Sequence, residues 1–215
     1  MSSPMHRNEP ILTFASGQEL EAHLCAAAGA SGGGAGFWLK LAKAGAPVAT
    51  VGKNEAIEVA LCCGWIDGQL ARLDEHHFLV RMTPRRPGSP WSANNRATAE
   101  RLAQAGRLRP AGLAAIEAAK ADGRWDAAYA SQATAQVPED LAFALASNAA
   151  ARRFFETLDR ANRYAIIYRV HQARRAETRA RRIANFVDML ARGEAIHPIR
   201  TPKAATKPGP GGVLK

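Results

Sequence analysis

The sequence has few of the residues that form disulfide frameworks. It contains three cysteines in 215 residues, Cys25, Cys62 and Cys63. An odd number that includes an adjacent pair is a poor basis for disulfides. We therefore expect Cys62 and Cys63 to be small buried residues of a helix, in a protein of a reducing compartment.

The sequence also lacks the usual signatures of an active site. It contains no set of metal ligands, no Gly-rich phosphate loop and no recognisable pair of nucleophile and base. His76 and His77 are adjacent in a predicted turn, from which neighbouring side chains diverge, so a metal pair is disfavoured. We predict no catalytic residue, no metal site and no cofactor, and an enzyme is the least favoured class.

Long apolar runs are absent as well, and aromatic residues make up only 7 % of the chain. No stretch reaches the length of a membrane span. Residues 1–10 contain one Arg, one His and no apolar core of an export signal. The sequence therefore predicts a cytoplasmic protein. Since alanine dominates the apolar residues, we expect mostly helical structure with close packing.

The positive charge is concentrated in the last third of the chain. The net charge is +10, yet residues 1–149 contain 14 basic and 14 acidic residues, whereas residues 150–215 contain 15 and 5. This asymmetry indicates an acidic partner such as nucleic acid, an anionic lipid surface or an acidic protein. The alternative interpretation is a solvated basic helix face.

Predicted strands and helices are segregated along the chain. Short apolar or alternating segments predict four strands, at 11–14, 37–41, 66–73 and 78–82, and helical periodicity with cap signals dominates after residue 91. This order is typical of an α+β domain with a small antiparallel sheet in the N-terminal half and an all-helical C-terminal half.

The expected organisation is one compact body between two disordered ends. Residues 1–10 are polar and are predicted to be disordered, residues 11–92 form the α+β half and residues 93–193 the helical half. Residues 194–215, which end in a Lys-, Gly- and Pro-rich segment, are predicted to be a disordered basic tail.

The stretch from Trp65 to Ser92 is the candidate binding region. It combines glycines that permit unusual backbone, a proline-stiffened loop and a predicted helix N-terminus at Ser92. The candidate ligand-binding residues are Trp65, Asp67, Arg85, Arg86, Trp91 and Ser92. Arginine side chains beside an indole would suit a small anionic or aromatic-anionic ligand. The alternative is that both tryptophans are core residues and that Asp67 fixes the hairpin.

A basic ridge is the second candidate site. It consists of Arg174, Arg175, Arg179, Arg181 and Arg182, on the face opposite an apolar stripe, at a junction where Thr178 is the predicted N-cap of a new helix. Such a ridge favours a nucleic-acid-binding module. No aromatic stacking platform accompanies it, which disfavours specific recognition of single strands.

Several spaced motifs carry a family resemblance. They are the segments 60–68, 83–87 with Trp91-Ser92, 110–112, 137–138 with Ala144-Leu145, and 173–182 with its Glu177-Thr178-Arg179. Together, over about residues 14–193, they resemble the YdeI/OmpD-associated family, also called bacteriocin-protection or OmdA-like proteins.

The resemblance implies a function without an established reaction. The family is linked to bacterial survival of cationic antimicrobial peptides and to association with an outer-membrane porin, and a periplasmic location has been proposed for it. We therefore expect a non-enzymatic stress or resistance protein that binds a protein partner or a small ligand through the Trp65 to Ser92 region. The alternative is nucleic-acid binding through the basic ridge.

Overall fold

The computed structural model describes residues 4–29 and 35–199. The chain forms two compact units, Met1–Ser131 and Gln132–Lys215. The expected division after residue 92 falls inside the first unit. The first two helices after residue 92 belong to the first unit because Ala99, Leu102 and Ile116 are buried in the same core as Trp65.

The described part of the first unit contains five strands and four helices. In chain order these are β1 (Met5–His6), β2 (Glu9–Leu12), α1 (Gly17–Gly29), β3 (Phe37–Ala42), α2 (Lys53–Cys62), β4 (Trp65–Arg72), β5 (His77–Pro84), α3 (Ala93–Gln104) and α4 (Pro110–Ala121). The predicted hairpin is confirmed as β4 and β5.

The strands form one mixed sheet in the order β1-β2-β3-β5-β4. All neighbouring pairs are antiparallel except β2 and β3, which run parallel with Ile11 opposite Trp38. The α+β class is confirmed. The sheet, expected to be antiparallel, is mixed because β2 and β3 run parallel. Helix α1 connects β2 to β3, and a helical crossover of this kind returns the chain to the same end of the sheet.

The expected disorder of residues 1–10 is wrong for residues 5–10. β1 and β2 form a hairpin whose turn residues, Arg7 and Asn8, have φ values of 49° and 64°. Both turn residues therefore have the positive φ of the two-residue hairpin turns that match strand twist. Glu9 also accepts two hydrogen bonds from Arg81 of β5, at 2.7 and 2.5 Å. Backbone pairing and this ion pair order a segment whose polarity alone predicts disorder.

The second unit is all-helical over its described residues, as expected. Its helices are α5 (Glu139–Ala146), α6 (Ala149–Thr157), α7 (Arg160–His171) and α8 (Ala176–Ala191). Asn148 and Asp159 are the N-caps of α6 and α7, since their side chains accept from Ala151 N and Asn162 N. Thr178 is not a cap, because the chain turns helical two residues earlier and the carbonyl of Arg175 accepts from Arg179 N at 2.9 Å.

The last described residues pack against this helical unit. The backbone N–H of His197 donates to the side chain of Asn162 at 2.8 Å, and Ile196 packs on the helical core. Residues 194–199 therefore do not match the expected disorder. The remainder of the predicted basic tail, from residue 200, lies outside the described residues. Within the described ranges, every helix is too short or too polar to cross a membrane.

Candidate functional site

A cavity of about 470 Å³ in the first unit brings together part of the predicted binding region. Three of the predicted residues line it: Trp65, Arg85 and Arg86. Its other walls are the loop after β5, one face of α4 and the connection that follows α4. The predicted region is therefore one side of a cavity whose opposite side is contributed by a later helix.

Two glycines allow α4 to approach the end of α2 closely. Gly64 ends α2 with a φ of +74°, and a Cβ placed there would lie 2.8 Å from the carbonyl oxygen of Ala111. At Gly112, a Cβ would collide with the backbone carbonyl of Cys62. The carbonyl of Gly64 accepts from Arg85 N at 2.9 Å, so the same turn also fixes the start of the arginine loop.

Alanines form the helical wall of the cavity. The lining residues of α4 follow the spacing of one helix face, and they are Ala111, Ala114, Ala115 and Ala118. Because alanine projects only a methyl group, this face leaves an open apolar surface opposite Trp65. Trp65 is 1 % exposed, so the indole is a core residue whose edge closes the cavity floor.

Two residues of the cavity lining, Trp65 and Arg85, have buried donors without an acceptor among the described residues, and only Arg85 has two such donors. Its guanidinium carbon lies 3.6 Å from the centre of the Trp91 ring, a stacking geometry that favours a cation. Nη1 donates to the carbonyl of Pro90 at 3.4 Å. Nε and Nη2 are buried and have no acceptor among the described residues.

Burial also alters the acidity of this side chain. Desolvation lowers the pKa of Arg85 to about 10, and the nearby charge of Arg124 acts in the same direction, whereas Tyr129 and Asp67 oppose it. Arg85 remains protonated at neutral pH. The cavity wall therefore holds a partly desolvated cation without a bonded counter-ion in the described chain.

Arg124, in contrast, is held by bonds within the protein. It is 8 % exposed, its Nε lies 2.8 and 2.7 Å from the two carboxylate oxygens of Asp122, and its Nη1 donates to the carbonyl of Ser89 at 2.7 Å. These bonds tie the connection after α4 to the arginine loop. Arg124 and Asp122 both line the cavity and are bonded to each other.

The remaining predicted residues lie outside the cavity lining. Trp91 is buried beneath Arg85 and contacts Trp125 edge-on at 4.8 Å. Asp67 lies on β4 opposite Met82 and acts on Arg85 only through its charge. Ser92 caps α3, with its hydroxyl accepting from Asn95 N at 3.1 Å. The predicted anion site at the Ser92 helix N-terminus is therefore not part of this cavity.

Sequence reasoning missed two parts of the site. The alanines at positions 111, 114, 115 and 118 have a visible periodicity, but a stripe of small residues does not reveal its partner. Arg124 follows α4 in a connection without periodic pattern, so no sequence signal places it beside Arg85.

The cysteines differ from expectation. Cys25 of α1 and Cys63 form a disulfide with 5.5 Å between their Cα atoms, and only Cys62 is free. Cys62 is a buried helical residue as expected, and burial raises the pKa of its thiol. Cys63 is buried at the end of α2, as expected. The expectation of no disulfide is wrong because the packing of α1 against the end of α2 pairs two residues that are 38 positions apart.

The disulfide also decides the chemistry of a nearby cluster. Glu21, Cys25 and Cys63 place potential ligand atoms within 4.8 Å of one another. However, the two sulfur atoms are bonded to each other, and Glu21 accepts from Arg109 at 2.7 Å. In this state the two cysteines are bonded to each other and the carboxylate is bonded to Arg109, so the three side chains do not form a metal-binding set.

The basic ridge is partly neutralised in the second unit. Arg179 donates through Nε and Nη2 to Asp140 at 2.5 and 2.8 Å, and its Nη1 donates to the carbonyl of Val170. Arg182 donates to the carbonyl of Arg169 at 2.6 Å. The exposed members of the ridge are Arg174, Arg175 and Arg181.

Comparisons with known proteins match two separate segments of the chain, one within each of its two units. By its fold, the chain is an α+β protein with a cavity in its first unit and a separate helical unit. Residues 12–115 match the model of a family described as a domain of unknown function (DUF8412). Residues 134–193 match the family described as "Bacteriocin-protection, YdeI or OmpD-Associated" (OmdA). The resemblance to the OmdA family is thus found over residues 134–193, a segment that lies in the helical unit, whereas most of the first unit matches a different family. No curated protein and no solved structure matches the chain.

Proposed function

We propose that this protein is a non-enzymatic binding protein whose N-terminal unit holds a small anionic ligand in the cavity between Arg85 and α4. The observation that carries this proposal is the pair of buried Arg85 donors that no described acceptor satisfies. A buried unsatisfied donor costs about 1–3 kcal/mol, so an anionic acceptor that reaches Arg85 gains a strong charge-assisted bond.

The cavity has the composition of a binding site and not of a reaction centre. Its lining is mainly apolar, its polar members are arginines and Asp122, and Cys63 is bonded in a disulfide. Among these lining residues, no nucleophile lies beside a base. The volume of about 470 Å³ is within the range of small-molecule sites.

The match of residues 134–193 to the OmdA family supports the proposed biological role. The OmdA match supports a role of the bacteriocin-protection or YdeI type. We infer that ligand capture by the first unit serves this stress- or peptide-resistance role, together with a protein partner.

A thermal-shift series tests ligand binding in the cavity. The probes are phosphate, sulfate, citrate and benzoate, each measured at two salt concentrations. A ligand that binds only the folded state raises the melting temperature. We expect at least one probe to stabilise the wild-type protein.

The matched variants lie on the same helix. Ala118→Leu projects a larger side chain into the cavity, with Ala115→Leu as a second blocking variant, whereas Ala121→Leu changes an exposed residue of α4 outside the lining. We expect Ala121→Leu to keep the stabilisation and the blocking variants to lose it. Equal stabilisation of all variants, or none of any protein by any probe, would contradict the proposal.

Nucleic-acid binding through the basic ridge is the second candidate. It is favoured by the exposed Arg174, Arg175 and Arg181, in a described segment 132–199 that contains 11 basic and 7 acidic residues. Binding of duplex DNA should weaken with salt by a slope of about 0.9 per neutralised phosphate. A triple Arg→Gln variant at these positions should abolish it, and unchanged DNA binding by this variant would exclude the ridge.

A further inference from the structure

The chemical class of the ligand follows from the way this protein uses its other arginines. Arg81, Arg179 and Arg192 each present Nε and Nη2 to one carboxylate, with distances between 2.5 and 3.1 Å. This edge of the guanidinium matches the two oxygens of a carboxylate in a side-on, bidentate geometry.

Arg85 offers the same edge without a carboxylate. Its Nε and Nη2 are the two donors that have no acceptor among the described residues, and Nη1 is directed to the carbonyl of Pro90. Stacking on Trp91 fixes the plane of the guanidinium. Among the described residues that line the cavity, Asp122 is the one carboxylate, and Arg124 binds it.

The rest of the cavity indicates what the carboxylate is attached to. The α4 face consists of methyl groups, and Trp65 and Pro87 form further apolar wall. Apart from arginine, the described lining contains one charged side chain, Asp122, which leaves few partners for a strongly polar ligand body. A compact, flat apolar group fits such a slot better than a sugar or a polyphosphate.

We propose that the cavity binds a carboxylic acid with a compact aromatic or apolar body. In the conformation described, Nε and Nη2 of Arg85 are enclosed by the protein, so the Arg85 side chain turns this edge toward the cavity to hold the carboxylate side-on. The body lies between Trp65 and the alanine face of α4, and Arg86 contributes positive charge at the exposed rim. This inference rests on the proposed function and specifies its ligand class.

Isothermal titration calorimetry with a matched set of probes tests the inference. The set is 2-naphthoate, the neutral 2-naphthamide, 2-naphthyl phosphate, and acetate, which has the carboxylate without the body. We expect 2-naphthoate to bind, and the amide and acetate to bind at least tenfold more weakly. The phosphate ester should also bind more weakly than 2-naphthoate, because its additional oxygens lack matched donors.

Two variants separate charge from geometry. Arg85→Lys keeps the positive charge but loses the bidentate edge, so it should lower the affinity for 2-naphthoate at least tenfold. Arg85→Gln is the second variant if the lysine protein folds poorly. Arg101→Lys, on α3 and paired with Glu58, is the matched control and should bind as wild type.

The outcomes distinguish this inference from the proposed function. Equal affinity for the acid and the amide, tighter binding of the phosphate ester, or full binding by Arg85→Lys would overturn the carboxylate assignment. If a probe bound in one of these ways and Ala118→Leu abolished its binding, the cavity would remain the ligand site. Absence of 2-naphthoate binding at millimolar concentration would also overturn the assignment, and the inorganic anions of the thermal-shift series would then decide the proposed function separately.

Discussion

The guanidinium of Arg85 stacks on the indole of Trp91, with 3.6 Å between the guanidinium carbon and the ring centre. Trp91 is itself held by an edge-on contact with Trp125 at 4.8 Å. The stack positions a cation at the cavity wall through ring contact and not through an ion pair. Arg85 is thus placed precisely enough to recognise a ligand while two of its donors have no acceptor in the described chain.

Arg85 and Arg124, two arginines of the cavity lining, should differ in their contribution to stability. Arg85→Met should change the free energy of unfolding by less than about 1 kcal/mol, because it removes a desolvated cation that lacks a bonded partner. Arg124→Met should cost about 1–3 kcal/mol, because it leaves the carbonyl of Ser89 and the carboxylate of Asp122 without their donor. Urea unfolding of both variants measures the difference. Equal losses would show that Arg85 is a structural residue.

Trp65 should be a core residue as well as a cavity residue. Trp65→Ala should lower the free energy of unfolding by about 3–5 kcal/mol, because a fully buried aromatic side chain is removed. Leu113→Ala, at a half-exposed position on the outer side of α4, is the control and should cost less than about 1 kcal/mol. A Trp65→Ala protein as stable as the wild type would contradict the packing described for the first unit.

Local patterns predicted most of the secondary structure but not the partners of each element. The β4–β5 hairpin, the positive φ of Gly64 and the caps Asn148 and Asp159 follow from residues close in sequence. The parallel pairing of β2 with β3 depends on where α1 returns the chain. The Cys25–Cys63 disulfide likewise depends on packing between helices that are far apart in sequence.

The candidate site was predicted in part for the same reason. Trp65, Arg85 and Arg86 lie within one short stretch, so their proximity could be inferred. Ser92 was assigned to the anion site as a helix N-terminus, but its hydroxyl is used to cap α3. The opposite wall, formed by Ala118 and its neighbours, comes from a helix whose position no local pattern specifies.

The disulfide should stabilise the first unit measurably. A cross-link between residues 38 positions apart reduces the entropy of the unfolded chain by an amount worth about 4 kcal/mol at 25 °C in the chain-entropy model. Cys25→Ser, at a partly exposed position, should therefore lower the melting temperature, and a thiol reductant should do the same to the wild-type protein. The reductant should leave Cys25→Ser unchanged. If the reductant raised the number of titratable thiols from one to three and left the melting temperature unchanged, the bond would contribute nothing to stability.

The Asp140–Arg179 pair should make the second unit sensitive to acid. The Arg179 guanidinium holds the pKa of Asp140 below its ordinary value of 3.8. The stabilisation is therefore fully present above pH 3.8 and is lost as the pH falls through the lower, folded-state pKa. Asp140→Asn should be less stable than wild type at pH 7, and the difference should shrink below pH 3.8. Glu156→Gln, in an exposed pair at 4.0 Å, is the control. A difference that stayed constant with pH would contradict this account.

The nitrogen-bound proton of Arg85 Nε reports most directly on the central claim that this side chain binds an anion. Its resonance can be followed in a ¹H–¹⁵N correlation spectrum during titration with 2-naphthoate, and the Arg85→Lys spectrum assigns it. A new hydrogen bond to a carboxylate should move the Nε–H resonance to higher proton frequency in a saturable way, and 2-naphthamide should leave it in place. An Nε–H resonance that stays unchanged while 2-naphthoate binds would contradict the account.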